Sequence, residues 1–188
     1  MERPFGRTTK LDRLAKRMQR GDERAAEALY QELVGKTFGF CFNRLGNRQV
    51  AEDLTQEIFL KVVEKIDKFD ENKGNFPVWF WRLARNTLID YYREKKELAF
   101  SDLGEMAVIP DHAHNPEDIV EQRIQKKHLE RFLETLTREE QEVFNLRYVS
   151  ELSYREIADI LEKNEGTLRV SVSRIKRKIS EHLRSNYA

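Results

Sequence analysis

The sequence predicts an all-α protein of two small helical domains joined by an acidic, flexible linker, and three observations carry that prediction. Apolar residues recur at helical spacing through most of the chain, with side-chain caps where the runs begin. Charged residues make up 36% of the 188, against eight glycines and four prolines, a composition of soluble, helix-rich proteins. From Leu98 to Pro116 the periodicity lapses, and Ser101, Asp102, Gly104, Pro110, Asp111, Asn115 and Pro116 give the composition of a linker. The expected organisation is a domain over 1–97, a linker over 98–116 and a second domain over 117–188, the last containing a helix-turn-helix.

Residues 1–8 read as disordered. Leu11, Leu14 and Met18 then mark a short basic helix stopped by Gly21, and Asp22 caps the next. That second helix runs from about Glu23 to Leu45, with Ala26, Leu29, Tyr30, Leu33, Phe40 and Cys41 on its buried side. Gly46-Asn47 ends it and caps a third helix, in which Leu54, Ile58, Val62 and Ile66 recur at i, i+4, i+8 and i+12. Glu52, Asp53, Gln56, Glu57 and Glu64 fall off that stripe, so one face is buried and the other acidic. A polar loop, Asp70 to Asn75, leads to a fourth helix with Asn75 as N-cap and Pro77 in its first turn. This helix sets Phe76, Trp79, Phe80, Trp81, Tyr91 and Tyr92 among Arg82, Arg85 and Arg93, more aromatic surface than one buried stripe uses. Rings interleaved with arginines can hold unstacked bases beside a phosphate backbone, at about 1–3 kcal/mol per stacked base. Taken singly, an acidic helix face is a solvated one and aromatics at helical spacing are core. The order of the motifs decides between these readings.

The second domain opens with a helix carrying Ile119, Ile124, Leu129, Phe132, Leu133 and Leu136. Thr137 with Glu140 forms a capping box for a helix through Val143, Phe144 and Tyr148, and Ser153 with Glu156 forms another, with Leu152 and Ile157 as a hydrophobic staple. The short helix Tyr154 to Leu161 is followed after a tight turn by a longer basic helix from about Glu165, capped by Asn164. Short helix, turn and basic helix make a helix-turn-helix. In the last helix Leu168, Val172, Ile175 and Ile179 share one narrow face, which leaves Arg169, Val170, Ser173, Arg174 and Arg177 opposite as the reading face.

Charge is segregated although the net is only +1. Met1 to Arg24 holds eight basic residues against four acidic, Leu98 to Val120 none against five, and Gly166 to Arg184 six against one. Basic ends and an acidic middle fit a chain that touches nucleic acid at its ends and something basic between. No window approaches 18 consecutive apolar residues and no apolar signal core opens the chain, so a cytoplasmic protein without a membrane partner is expected. Cys41, the single cysteine, allows no internal disulfide or CxxC metal site and reads as a buried thiol between Phe40 and Phe42. His112 and His114 lie in a polar stretch without third and fourth ligands, so no metal is expected. Neither paired carboxylates in an apolar pattern, a nucleophile with its base, nor a glycine-rich phosphate loop is present, so no enzyme, catalytic residue or cofactor is expected.

Asp53-Leu54-x-Gln56-Glu57, followed by Phe59, Phe69, Gly74, Phe76, Trp79 and Arg82-x-Ala84-Arg85-Asn86, resembles the second conserved region of bacterial sigma factors, most of all the extracytoplasmic-function group. Leu152-Ser153-Tyr154-x-Glu156-Ile157-Ala158-x-Ile160-Leu161 and Gly166-Thr167 resemble the fourth conserved region of the same family. The resemblance implies an RNA polymerase sigma factor that directs promoter-specific initiation. It implies that the acidic helix, through Asp53, Gln56 and Glu57, docks on the clamp helices of the largest subunit of core RNA polymerase. Lys73, Asn75, Phe76, Trp79, Trp81, Arg82, Arg85 and Asn86 are then expected to open and hold the −10 element as single-stranded promoter DNA. Arg155, Thr167, Arg169, Val170, Ser173, Arg174 and Arg177 are expected on the −35 duplex. The acidic linker would thread through polymerase, and an anti-sigma factor is a further partner that the resemblance allows. Two departures bear on specificity. Glu162 and Lys163 stand where the family has glycine and an apolar residue, and Arg169-Val170-Ser171 where it favours Lys-Ser-Arg, so promoter preference does not carry over from relatives. The rival reading is a helix-turn-helix regulator with an N-terminal sensing or partner-binding domain; it predicts palindromic duplex binding without polymerase and gives the acidic helix no role.

Overall fold

A computed structural model of the chain describes residues 9–101, Leu129 and 131–187, with side chains described over 9–95, at Leu129 and over 131–184. The expectations for residues 1–8, for His112 and His114 with most of the linker, and for Ile119 and Ile124 lie outside the described residues. Two compact units are formed, Met1–Asp111 and His112–Ala188.

In the first unit α1 (Lys10–Gln19), α2 (Glu23–Leu45), α3 (Arg48–Lys65) and α4 (Phe76–Ser101) follow one another, with a 3-10 turn at Ile66–Lys68 finishing α3. Each helix packs on the next and α1 also packs on α4, which closes the bundle. The caps stand where the sequence places them. Asp22 accepts from the Ala25 N–H, Asn47 from Val50 and Asn75 from Val78, at 3.2, 3.1 and 3.0 Å. Each satisfies a donor that the first helical turn leaves without a partner, typically about 1 kcal/mol per cap. Leu54, Ile58, Val62 and Ile66 are buried as expected, facing a core that includes Leu29, Leu33, Phe40 and Cys41. Burial pushes the Cys41 thiol up to about 12 against an opposing hydrogen bond with Thr55, which makes it an inert thiol rather than a reactive one. Tyr30 departs from the expectation, being 43% exposed. The stripe through Leu29 and Leu33 leaves the next residue rotated by about 100°, and the Tyr30 ring instead lies against Phe59, edge-on at 4.8 Å.

Two features of this unit were not visible in the sequence. Asp12 on α1 is buried and uses both carboxylate oxygens: one accepts from the Thr9 N–H and hydroxyl at 2.7 and 2.9 Å, the other from the Phe76 N–H at 2.6 Å. Gln19, at the other end of α1, donates its side-chain amide to the carbonyls of Ile66 and Phe69 at 2.9 and 2.7 Å. In addition, α4 continues through Leu98–Ser101, four residues into the stretch assigned to the linker. Glu94-Lys95-Lys96-Glu97-Leu98-Ala99 consists of good helix formers without a glycine or proline to end the helix.

In the second unit a helical stretch at 131–134 precedes α5 (Arg138–Phe144), α6 (Tyr154–Leu161) and α7 (Glu165–Tyr187), and both α5 and α6 pack on α7. Both capping boxes form, Thr137 with Glu140 and Ser153 with Glu156. The helix expected to run to Tyr148 changes character after Phe144, where Asn145–Val149 forms a π-turn closed by the Ser150 N–H on the Asn145 carbonyl at 2.9 Å. Leu168, Val172 and Ile175 are buried and Ile179 half-buried, so α7 seats on the face the spacing assigned to it.

The turn between α6 and α7 shows what replaces the family's glycine. Glu162 adopts the left-handed conformation, φ 54 and ψ 42, and its N–H closes on the Ala158 carbonyl. Lys163, in place of an apolar residue, forms an ion pair with Glu139 in the first turn of α5. The turn keeps its shape with a residue that tolerates that φ poorly. Glu162→Gly is therefore expected to stabilise the chain by about 0.5–1 kcal/mol, the left-handed penalty less the entropy glycine adds to the unfolded state. Thermal denaturation checks this, and the melting transition of the variant should move upward.

Candidate functional site

Three exposed surfaces carry the residues singled out from the sequence. On α3, Glu52, Asp53, Gln56 and Glu57 are all exposed. Glu52 is held by Arg48 and Glu57 by Lys61, at 2.8 and 2.6 Å, both i,i+4 pairs. Among the described residues Asp53 and Gln56 have no side-chain partner. The same face continues into Leu60 and Val63, which are 64% and 61% exposed. Gln56, Leu60 and Val63 stand at i, i+4 and i+7, one above the other. The sequence reading missed the two aliphatics, although both fall off the Leu54-Ile58-Val62-Ile66 stripe and the core had no use for them.

The second surface joins the loop before α4 to α4 itself. Asp70 builds the loop: its carboxylate accepts from the Asn72 N–H at 2.9 Å and its carbonyl from the Lys73 N–H at 3.0 Å. Lys73 is left exposed at the tip, 3.9 Å from the Asp70 carboxylate, while Asn75 spends its side-chain oxygen on the α4 cap. Along α4, Arg82 and Asn86 are exposed and Trp79 and Arg85 half-buried. Trp79, Arg82 and Asn86, at i, i+3 and i+7, border a groove of about 260 Å³ whose other wall is Lys61, Lys65 and Lys68 from the end of α3. These three lysines were not among the expected site residues. Their own i, i+4, i+7 spacing was the available signal.

Phe76 and Trp81 do not belong to this surface. Phe76 is 0% and Trp81 1% exposed. Trp81 packs edge-to-face on Phe40 and Phe80, at 5.4 and 5.1 Å, and Phe76 on Phe69 at 5.5 Å. Phe76, Phe80, Ala84 and Leu88 form the i+4 stripe that α4 buries, and the wide Trp81 ring, one position along, fills the space beside it. Rings so enclosed have no face to offer a base, so the aromatic surplus resolves into core, Trp79, and two tyrosines near the far end of the helix, Tyr91 half-buried and Tyr92 42% exposed with its hydroxyl donating to the Arg44 carbonyl at 2.6 Å.

The third surface is α7. Val170 is 53% exposed, and Thr167, Arg169, Ser173, Arg174 and Arg177 are exposed beside it, as is Arg155 on α6. Val170, Ser173, Arg174 and Arg177 share one face at i, i+3, i+4 and i+7. Arg169 is held back from it: it pairs with Glu165 and lies 4.8 Å from the Tyr154 ring centre, which also takes Arg147 at 5.0 Å. At the start of α7 the Gly166 N–H donates to the Asn164 side chain at 2.7 Å, and a Cβ at Gly166 would sit 3.0 Å from that oxygen. Glycine is what lets the cap close there.

Residues 29–97 match Sigma-70 region 2 and residues 127–179 match Sigma-70, region 4. The ECF RNA polymerase sigma factor SigW of Bacillus subtilis is 30% identical over 177 residues, covering 90% of this chain and 94% of that protein. This chain belongs to the sigma-70 family of RNA polymerase sigma factors, in the extracytoplasmic-function group. The ECF RNA polymerase sigma factor BldN of Streptomyces coelicolor is also 30% identical, over 83% of this chain, which spans only 59% of BldN. Among solved structures, the sigma factor RpoE of Bartonella quintana, in complex with the anti-sigma factor NepR, shares the fold with a TM-score of 0.63 at 23% identity, covering 84% of this chain and 96% of that one. CnrH, in complex with the cytosolic domain of CnrY, shares it at 0.65 and 20%, covering 94% of this chain and 99% of that one. In this sigma factor region 2 therefore takes in most of α2, all of α3, the loop and α4 as far as Glu97, while region 4 holds the helix-turn-helix of α6 and α7. No described helix is long and apolar enough to cross a membrane.

Proposed function

We propose that this sigma factor binds core RNA polymerase through the exposed face of α3, opens and holds the −10 element with the loop and α4, and reads the −35 duplex with α7. It acts in the cytoplasm by binding alone, without a cofactor or a chemical step of its own, as modules over 1–97 and 117–188 tethered by 98–116. The observation that carries the reading is the α3 face, where Asp53 and Gln56 run into two aliphatic side chains that the fold leaves in water. A charged rim beside an apolar centre is the make-up of a protein interface. The −10 contacts are Lys73, Trp79, Arg82, Arg85 and Asn86, with Asn75 shaping the loop through its cap; the groove adds Lys61, Lys65 and Lys68 as phosphate partners. On α7, Val170 is suited to a thymine methyl group, while Arg174 and Arg177 are suited to phosphates or guanine edges. An anti-sigma factor, the partner class seen with the Bartonella protein, is a regulator that competes for these same surfaces.

Asp53→Ala, Gln56→Ala and Glu57→Ala combined test the carrying observation. All three side chains are exposed, so the cost in stability is expected to stay within about 0.5 kcal/mol each, while affinity for core polymerase falls. Co-purification with core polymerase and fluorescence titration read the outcome. A folded triple variant that binds polymerase as tightly as the parent would remove Asp53, Gln56 and Glu57 from the docking surface.

A further inference from the structure

Within the loop from Phe69 to Asn75, Asp70 accepts from the Asn72 N–H and side-chain amide and from the Lys73 N–H. The loop is also held from α1. Gln19 takes the carbonyls of Ile66 and Phe69 where the loop leaves α3, Lys16 pairs with Glu71 in its middle, and Asp12 takes the Phe76 N–H where it enters α4. Asp12, Lys16 and Gln19 stand at i, i+4 and i+7, so one face of a ten-residue helix touches the loop at its beginning, centre and end. The groups taken by Asp12 and Gln19 are backbone donors and acceptors that helix ends ordinarily leave to water. α1 precedes the segment matching region 2, which begins at residue 29, so the family match gives it no task.

We infer that α1 is the positioning element of the base-reading loop, with Asp12, Lys16 and Gln19 as positioning residues that fix its shape before a strand arrives. The inference rests on the reading of this loop as part of the −10 surface. A loop pinned at three points loses less conformational freedom on binding than one pinned at its ends alone, so binding free energy goes into opening the duplex rather than ordering the protein. Pinning also sets which atoms Lys73 and the loop backbone present, and so which base is accepted.

The test uses the full chain reconstituted with core polymerase, on promoter duplexes varied at the −10 positions, reading open-complex formation by permanganate reactivity and base preference by competition. Gln19→Met removes both amide donors at similar length, and Lys16→Glu turns the pair with Glu71 into a repulsion. Each is expected to lower open-complex formation by about three- to tenfold, the scale of one or two lost hydrogen bonds, and to flatten the −10 base preference. Polymerase affinity should stay unchanged. Lys16→Glu combined with Glu71→Lys should restore the profile, which separates positioning from a general loss of folding. Lys73→Ala at the loop tip is measured alongside. Should it alter the profile while the Gln19 and Lys16 variants do not, α1 has no positioning role and the loop still reads the strand. Should none of the variants alter it, the loop is not the reader and both claims fail.

Discussion

Trp81→Ala is expected to cost the first unit about 3–5 kcal/mol, the range for removing a large aromatic from a closed core, and so to abolish initiation through unfolding. The indole is 1% exposed and sits between Phe40 on α2 and Phe80 on its own helix, so its loss leaves a cavity where two helices meet. Whole-domain stabilities are about 5–15 kcal/mol, which makes a loss of this size sufficient to populate the unfolded state. Trp79→Ala provides the contrast. Trp79 is half-buried, leaning on Phe69 and Phe76 at 5.8 and 5.5 Å, with the rest of its ring turned to the groove. It should lose promoter opening at a smaller cost in stability. Urea denaturation beside permanganate footprinting separates the two. A Trp81→Ala protein as stable as the parent, yet unable to open promoters, would return Trp81 to the DNA surface.

The other large effect concerns Leu60 and Val63. Leu60→Asp combined with Val63→Asp should leave the fold intact, because both side chains already stand more than three-fifths in water. Polymerase affinity should fall by about a hundredfold or more, since a carboxylate placed at the centre of an interface must be desolvated without a partner. Surface-immobilised core polymerase titrated with the variant measures this directly. Retention of parental affinity would confine the docking surface to the polar residues.

Most of the fold was legible because its signals are local. The stripe of Leu54, Ile58, Val62 and Ile66, the caps at Asp22, Asn47 and Asn75, and the two capping boxes each depend on residues within a turn or two of one another. What stayed hidden depended on partners far along the chain. Nothing near Asp12 announces that it caps a helix beginning at Phe76, and nothing near Gln19 points to the carbonyls of Ile66 and Phe69. The site shows the same division. The exposed face of α7 follows from its periodicity, whereas the sorting of Phe76, Trp79 and Trp81 into core and surface needs the position of Phe40 on another helix. The motif order pointed to a nucleic-acid surface, and only packing separates the rings that could touch a base from those that cannot.

The extent of α4 bears on promoter spacing. At 1.5 Å per residue its 26 residues make a rod about 39 Å long. Leu98–Ser101 lie in that rod rather than in extended chain, where each residue would span up to about 3.3 Å, so four residues give up about 7 Å of tether. On a duplex rising 3.4 Å per base pair this is the length of about two base pairs. In general a shorter tether between two DNA-binding modules raises the local concentration of one around the other and narrows the range of separations that both can occupy at once. On the proposed assignment of the two DNA surfaces, the helical state of these four residues is expected to narrow the distance tolerated between the two promoter elements, and a glycine pair introduced at Leu98 and Ala99 is expected to lengthen that reach without touching either reading surface.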